Sequence, residues 1–123
     1  MVWDDLVLST VESLAYYEND IEEFGEEVIN DKISLAKHII ESRLSSSVDN
    51  IDDVADQGDV LKESSDLKTL AFIYFDRSSN INDKWWIKFN HYDKAYDESI
   101  KRAEKRIIVN NRYLVPRQGR VFR

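Results

Sequence analysis

The residues best suited to chemistry are acidic. Asp49, Asp52, Asp53, Asp56 and Asp59 crowd a polar stretch that also holds Gln57 and Gly58, and oxygen-rich loops of this kind hold calcium. Spacing decides the matter. With Gly58 at the sixth position of an EF-hand loop, Asp53 falls first, Ala55 third, Gln57 fifth and Ser64 twelfth. Calcium needs oxygen ligands at the third and fifth positions and a bidentate glutamate at the twelfth. The register lacks them, so the stretch reads as a solvated loop. His38 and His91 have no HExxH spacing, and the chain has no G-x-S-x-G elbow and no Walker lysine. Each histidine reads as a boundary or surface residue. The pairs Glu22-Glu23 and Glu26-Glu27 lie on a polar helix face, without the apolar cleft that would raise a carboxyl pKa for acid catalysis. Tyr16, Tyr17, Trp85 and Trp86 could stack a ligand, but their helical spacing assigns them to core and interface packing. With no cysteine, thiolate catalysis, disulfides and cysteine-ligated metals are excluded. The sequence therefore predicts no enzyme, and no catalytic, cofactor-binding or metal-binding residues.

The basic end carries more information. Lys101, Arg102, Lys105 and Arg106 finish a long helix, where cations favour the C-terminal dipole. Beyond them Arg112, Arg117, Arg120 and Arg123 alternate with Tyr113, Leu114, Val115, Val121 and Phe122. Arginine mixed with aromatic and aliphatic side chains on an extended segment is the composition of an interface anchor. Phosphate-backbone contacts draw on the same residues. The sequence thus nominates Arg112, Tyr113, Leu114, Arg117, Arg120, Phe122 and Arg123 as a partner interface, adjoining the basic helix end.

Charge is graded along the chain. Residues 1–30 hold nine acids and no base, whereas residues 101–123 hold eight bases against Glu104 alone, within a net charge of −7. Such asymmetry concerns partners more than fold. The plain alternative is a set of solvated faces followed by a loose basic tail.

The elements that must position these groups are helical. A chain of 123 residues is one domain by size. Three glycines and one proline suit helices, no run of about 20 apolar residues predicts a membrane span, and the N-terminus lacks the pattern of a signal peptide. Leu67, Leu70, Ala71, Phe72, Ile73, Tyr74 and Phe75 form a helix apolar nearly all round, expected to be buried on most sides. Ser78, Ser79, Asn80 and Asn82 break it. From Asp83 a second helix of about 25 residues, roughly 37 Å long, carries Trp85, Phe89, Tyr92, Tyr96, Ile100, Ala103 and Ile107 on one stripe. Upstream, Trp3, Leu6 and Val7 are expected to pack back on the bundle, and Ser9 with Glu12 fits a capping box. Asp20 with Glu23 repeats that signature, ending the first helix near Asn19. A helix over residues 20–45 follows, interrupted near Gly25, with Ile29, Ile33, Ala36, Ile40 and Leu44 inward and Leu35 and Ile39 widening the stripe. Residues 45–66 read as a loop with a short helical turn, and Ser64, Ser65 and Asp66 as a cap for the helix at 67. The expectation is an all-α, small antiparallel bundle of about four helices over residues 1–109. An extended basic tail follows over 110–123, with a hairpin about Asn110-Asn111.

The run DLKTLAFIYFDRSSNINDKWWIKFNHYDKAYDESIKRA resembles the helical hairpin of head–tail connector (adaptor) proteins of tailed bacteriophages. Leu70, Ile73 and Tyr74 match the family's apolar helix, Ser78-Ser79 its break, Asp83 the opening of the next helix, and Lys88, Tyr92 and Tyr96 its stripe. ISLAKHIIESRL resembles the earlier helix, with Ala36-Lys37 and Ile40-Glu41 in register. The resemblance covers more than half of the chain, and its motif is packing chemistry. The chain departs from many members in ending with arginines rather than an Asp-rich strand. What the resemblance implies is a virion subunit of the neck, present in the host cytoplasm during assembly. It would form a homo-oligomeric ring, usually of twelve subunits, beneath the portal protein. The ring would extend the channel through which genome DNA passes without specific binding and offer a platform for tail or nozzle proteins. Acidic and basic ends in one chain suit the head-to-tail contacts that close into rings. Two other classes remain open on the residues alone: a nucleic-acid-binding module using residues 101–123 on phosphate, and a small regulatory protein whose tail folds on its target.

Overall fold

A computed structural model describes residues 1–79 and 83–114. It is an all-α bundle with five α-helices among those residues: α1 (Val11–Ala15), α2 (Glu26–Ser45), α3 (Asp52–Ala55), α4 (Lys62–Arg77) and α5 (Lys84–Glu104). Trp3–Asp5, Ile21–Phe24 and Gly58–Leu61 are 3-10 turns, and the strands β1 (Ile108–Val109) and β2 (Arg112–Tyr113) make one antiparallel hairpin. The frame is α2, α4 and α5. Lys32 near the start of α2 pairs with Asp76 at the end of α4, and Arg43 at the end of α2 pairs with Glu104 at the end of α5. Hence α4 runs antiparallel to the other two.

The α4–α5 hairpin forms as its periodicity dictates. Leu67, Leu70, Ala71, Ile73 and Tyr74 are buried on α4, and Tyr92, Tyr96, Ile100 and Ala103 on α5. Asp83 caps α5 by accepting the Trp85 N–H at 2.7 Å, and that bond holds its carboxyl below the usual range. The helix is 21 residues long, about 31 Å, shorter than its apolar stripe. After Glu104 the Arg106 and Ile107 N–H groups both turn back to the Ala103 carbonyl. Ile107, fully buried, thus packs three residues beyond the helix end.

Several local expectations are corrected. α4 opens at Lys62, five residues early, and Ser64, Ser65 and Asp66 are not its cap but buried residues within it. Their side chains are drawn into contacts between elements. Ser64 Oγ lies 2.8 Å from Ser99 Oγ, Ser65 Oγ 2.7 Å from Ser9 Oγ, and Asp66 accepts from Ser13 Oγ at 2.8 Å. Because Ser9 is taken inward, the capping box forms one residue later, between Thr10 and Ser13. α1 is a single turn that stops at Ala15 rather than near Asn19, and Asp20 opens its 3-10 turn without a side-chain cap bond. Gly25 does interrupt the next segment, at φ 92° and ψ 137°, a region closed to side chains, and α2 follows it. Leu35 points outward, so the inner stripe of α2 is Ile29, Ala36, Ile40 and Leu44. At the N-terminus Trp3 and Leu8 are buried, whereas Val7 is exposed.

Candidate partner interface

The basic helix end is solvent-facing. Lys101, Arg102, Lys105 and Arg106 are exposed, with Arg102 donating to Glu63 at 3.1 Å. Glu63 also accepts from Ser99, and these bonds outweigh burial to keep its carboxyl below the ordinary value.

The tail leaves this end through the β1–β2 hairpin. Asn110 and Asn111 both adopt positive φ, 54° and 64°, the backbone of a type I′ turn. Ile108 opposes Tyr113, and Val109 opposes Arg112. Two residues per strand do not hold a hairpin in water, so outside groups must. The Gln57 side-chain amide supplies one of them: its Nε2 donates to the Ile108 carbonyl at 2.6 Å, while its Oε1 accepts the Ile108 N–H at 2.9 Å. It acts as a one-residue strand beside β1. The other is Leu114, buried in the core with its N–H donated to the Ile107 carbonyl at 3.0 Å. Of the residues nominated as a partner interface, Arg112 and Tyr113 are both exposed, on alternate faces of β2. Leu114 is buried and packs in the core. Arg117, Arg120, Phe122 and Arg123 lie outside the described residues.

The aspartate-rich loop adjoins β1 through Gln57 and the N-terminus through Asp52. Carboxylates of the aspartate-rich loop are spent on structure. Asp52 accepts the Trp3 N–H at 2.7 Å, Asp56 pairs with the N-terminal amine at 3.2 Å, and Asp59 pairs with Lys62 at 3.2 Å. Among the described residues no group of three or more histidines, aspartates and glutamates is placed to hold a metal ion. Glu18 accepts from Lys88 and, at 2.5 Å, from the Tyr92 hydroxyl. Burial alone would raise its carboxyl, but the bonds from Lys88, Tyr92 and Tyr74 outweigh that and hold it below its ordinary value. Lys88 also lies over the Tyr74 ring. Glu12, Glu22 and Glu26 rim an open groove of about 400 Å³ beside Val11, over the buried Ile29. Neither that groove nor the Gln57 clamp was nominated from sequence. The clamp spans 51 residues, so no local pattern encodes it; the groove had a signal in the paired glutamates, once they are placed on adjoining elements.

The aromatic residues close on one another. Tyr74 stacks between Trp85 and Tyr92, with centroids 5.5 and 5.9 Å away, and Phe24 meets Tyr74 and Trp85 edge-on. This ladder packs the rings of α4, α5 and the Ile21–Phe24 turn against one another. A second cluster, Phe75, Trp86 and Phe89, sits at the α4–α5 corner with Phe75 half exposed. His38 and His91 are exposed. No helix among the described residues is long and apolar enough to cross a membrane. No protein-family model, curated protein or solved structure matches the chain.

Proposed function

We propose that the chain is a structural subunit of a tailed-phage neck, a head–tail connector that assembles as a ring under the portal and extends the DNA channel. One observation carries the reading: acid and base are separated along one chain, with nine carboxylates and no base in residues 1–30 and eight bases against Glu104 alone in residues 101–123. The basic helix end and the exposed Arg112 and Tyr113 are fixed by Gln57 and Leu114 at the C-terminal end of α5. The carboxylates of residues 1–30 lie on α1, the neighbouring turns and the start of α2. A polar unit of this kind forms heterologous contacts, which close into rings when the rotation permits. The Asp83-capped hairpin with Lys88, Tyr92 and Tyr96 on α5 agrees with the connector resemblance. The exposed Phe75 corner offers apolar surface for lateral packing between subunits. Acidic surface left facing the channel would repel the phosphate backbone, so that DNA passes without binding.

Native mass and sedimentation, with and without purified portal, test this reading. A ring or a portal-bound complex is the expected result. A chain that stays monomeric, ignores portals and binds duplex DNA with a steep salt dependence would instead be a nucleic-acid-binding module.

A further inference from the structure

Residues 9–24 cover one side of the α4–α5 hairpin. Ser13 bonds Asp66, Glu18 meets Lys88 and Tyr92, and Phe24 packs on Tyr74 and Trp85. The side that carries Phe72 and Phe75 is open. There Phe75 of α4 meets Trp86 and Phe89 of α5 at centroid distances of 6.4 and 5.0 Å. Phe75 is 50% exposed, and Phe72, Trp86 and Phe89 are each partly exposed. Four rings left in reach of water along one helical seam make a contiguous apolar patch, which marks an interaction surface.

The charges bordering the patch say what covers it. Lys68, one turn before Phe72 on α4, pairs at 3.0 Å with Asp93, one turn after Phe89 on α5, and its ammonium also lies over the Phe72 ring. On the other flank Lys32 of α2 pairs with Asp76. These four charges are answered within the chain, so they offer nothing to a partner of opposite charge. The patch is nevertheless polarised across the seam, positive at Lys68 on α4 and negative at Asp93 on α5. A second copy turned about a two-fold axis along the seam lays its α5 on α4 and its α4 on α5. That operation sets Lys68 of each copy opposite Asp93 of the other, and rings against rings. The patch is complementary to itself.

We propose that two copies pair through this patch, their α4–α5 hairpins stacking into a four-helix bundle. Phe75 of each copy packs on Trp86 and Phe89 of the other, and the Lys68–Asp93 pairs become a four-membered charge cluster at the rim. The inference does not rest on the connector reading. An isologous contact closes at two copies and leaves the charged ends of the chain free for other partners.

Sedimentation equilibrium of the full chain tests it. Each copy carries a net charge of −7, so repulsion opposes pairing while the apolar contact drives it. Dimerisation should therefore strengthen between about 0.1 and 1 M salt, where the screening length falls from about 10 to about 3 Å. Phe75→Ser should weaken it at least about tenfold, with the fold checked by circular dichroism. Two charge variants test the geometry. Lys68→Glu alone faces acid with acid across the axis, and Asp93→Lys alone faces base with base, so at about 0.1 M salt each should stay monomeric. Mixed in equal amounts they should form a one-to-one heterodimer, because each then meets its opposite charge. Variants that merely misfold give no such rescue. A wild type that stays monomeric as salt rises, or a mixture that stays monomeric, overturns the proposal. Self-association that salt weakens and Phe75→Ser leaves unchanged also overturns it, while leaving the connector reading standing. A salt-strengthened dimer that ignores purified portal upholds the pairing and sinks the connector reading alone.

Discussion

Arg43 and Glu104 meet as a two-pronged pair, Nε to Oε2 at 3.0 Å and Nη2 to Oε1 at 2.9 Å, across 61 residues of sequence. Glu104 is 2% exposed, so Arg43 supplies hydrogen bonds that water would otherwise provide. The pair locks the ends of α2 and α5 together at the point where the chain turns into the hairpin. The bond to Glu104 outweighs burial in raising the Arg43 pKa further above its already high value.

Removing one partner should cost more than removing both. Arg43→Ala leaves a buried carboxylate unpaired, at a cost of about 3 kcal/mol, the low end for buried pairs because Arg43 keeps some solvent contact. The double variant Arg43→Met with Glu104→Leu should recover most of that loss. Urea unfolding midpoints at unchanged slope are the readout. Equal destabilisation by the single and double variants would show the arginine stem, and not charge pairing, to be what matters.

The Gln57 clamp separates hairpin order from bundle stability. Gln57→Ala removes two hydrogen bonds to one backbone residue, each worth about 1 kcal/mol. The hairpin should loosen while α2, α4 and α5 stay folded. Amide exchange at Ile108 should speed up by at least about tenfold. Gln57→Glu should behave like the alanine variant near neutral pH, because a carboxylate faces the Ile108 carbonyl with no proton to donate. Unchanged exchange in both variants would assign the hairpin's order to Leu114 alone.

The turn gives a third check. At Asn110 and Asn111 the positive φ values tolerate asparagine and favour glycine. Asn111→Gly should leave the hairpin intact or tighten it by a few tenths of a kcal/mol. Asn111→Val should cost about 1 to 2 kcal/mol of hairpin stability, since a β-branched side chain clashes in the left-handed region. Cross-strand contacts between Ile108 and Tyr113, read by nuclear Overhauser effects, report both.

How much of this was legible depends on how far apart the cooperating residues lie. The α5 stripe can be read because helical periodicity is local, and Trp85 through Ile107 repeat it without a break. The interruption at Gly25 and the Asn110-Asn111 turn were readable for the same reason, each being a backbone preference of one or two residues. The start of α4 was not. Ser64, Ser65 and Asp66 have the composition of a cap, and only the approach of Ser9, Ser13 and Ser99 from other elements converts them into buried helix residues. Leu114 likewise reads as an exposed anchor until Ile107 is seen to receive its backbone. Charge segregation was visible along the sequence, but the convergence of Glu12, Glu22 and Glu26 on one groove needed three elements to be folded together.

Two carboxylates should respond to pH with opposite signs. Glu18 sits below its ordinary pKa in the folded chain, held there against burial by Lys88, Tyr92 and Tyr74. Its stabilising share is therefore present above the unfolded-state value and is lost as pH falls through the depressed folded value. Asp66 sits above its ordinary pKa because burial dominates, with Ser9 and Ser13 opposing and Glu63 adding repulsion. Its share is full below the unfolded-state value and is lost as pH rises through the raised one. Glu18→Gln should accordingly cost on the order of 1 kcal/mol near pH 7, a gap that narrows in acid. Asp66→Asn, which keeps an acceptor for Ser13, should be neutral or stabilising near pH 7, and its advantage should shrink as the wild-type carboxyl protonates. Unfolding free energies of the three chains between about pH 3 and pH 7 decide it. Parallel curves for wild type and Asp66→Asn would mean that Asp66 is not the buried, proton-seeking group that its place on α4 makes it.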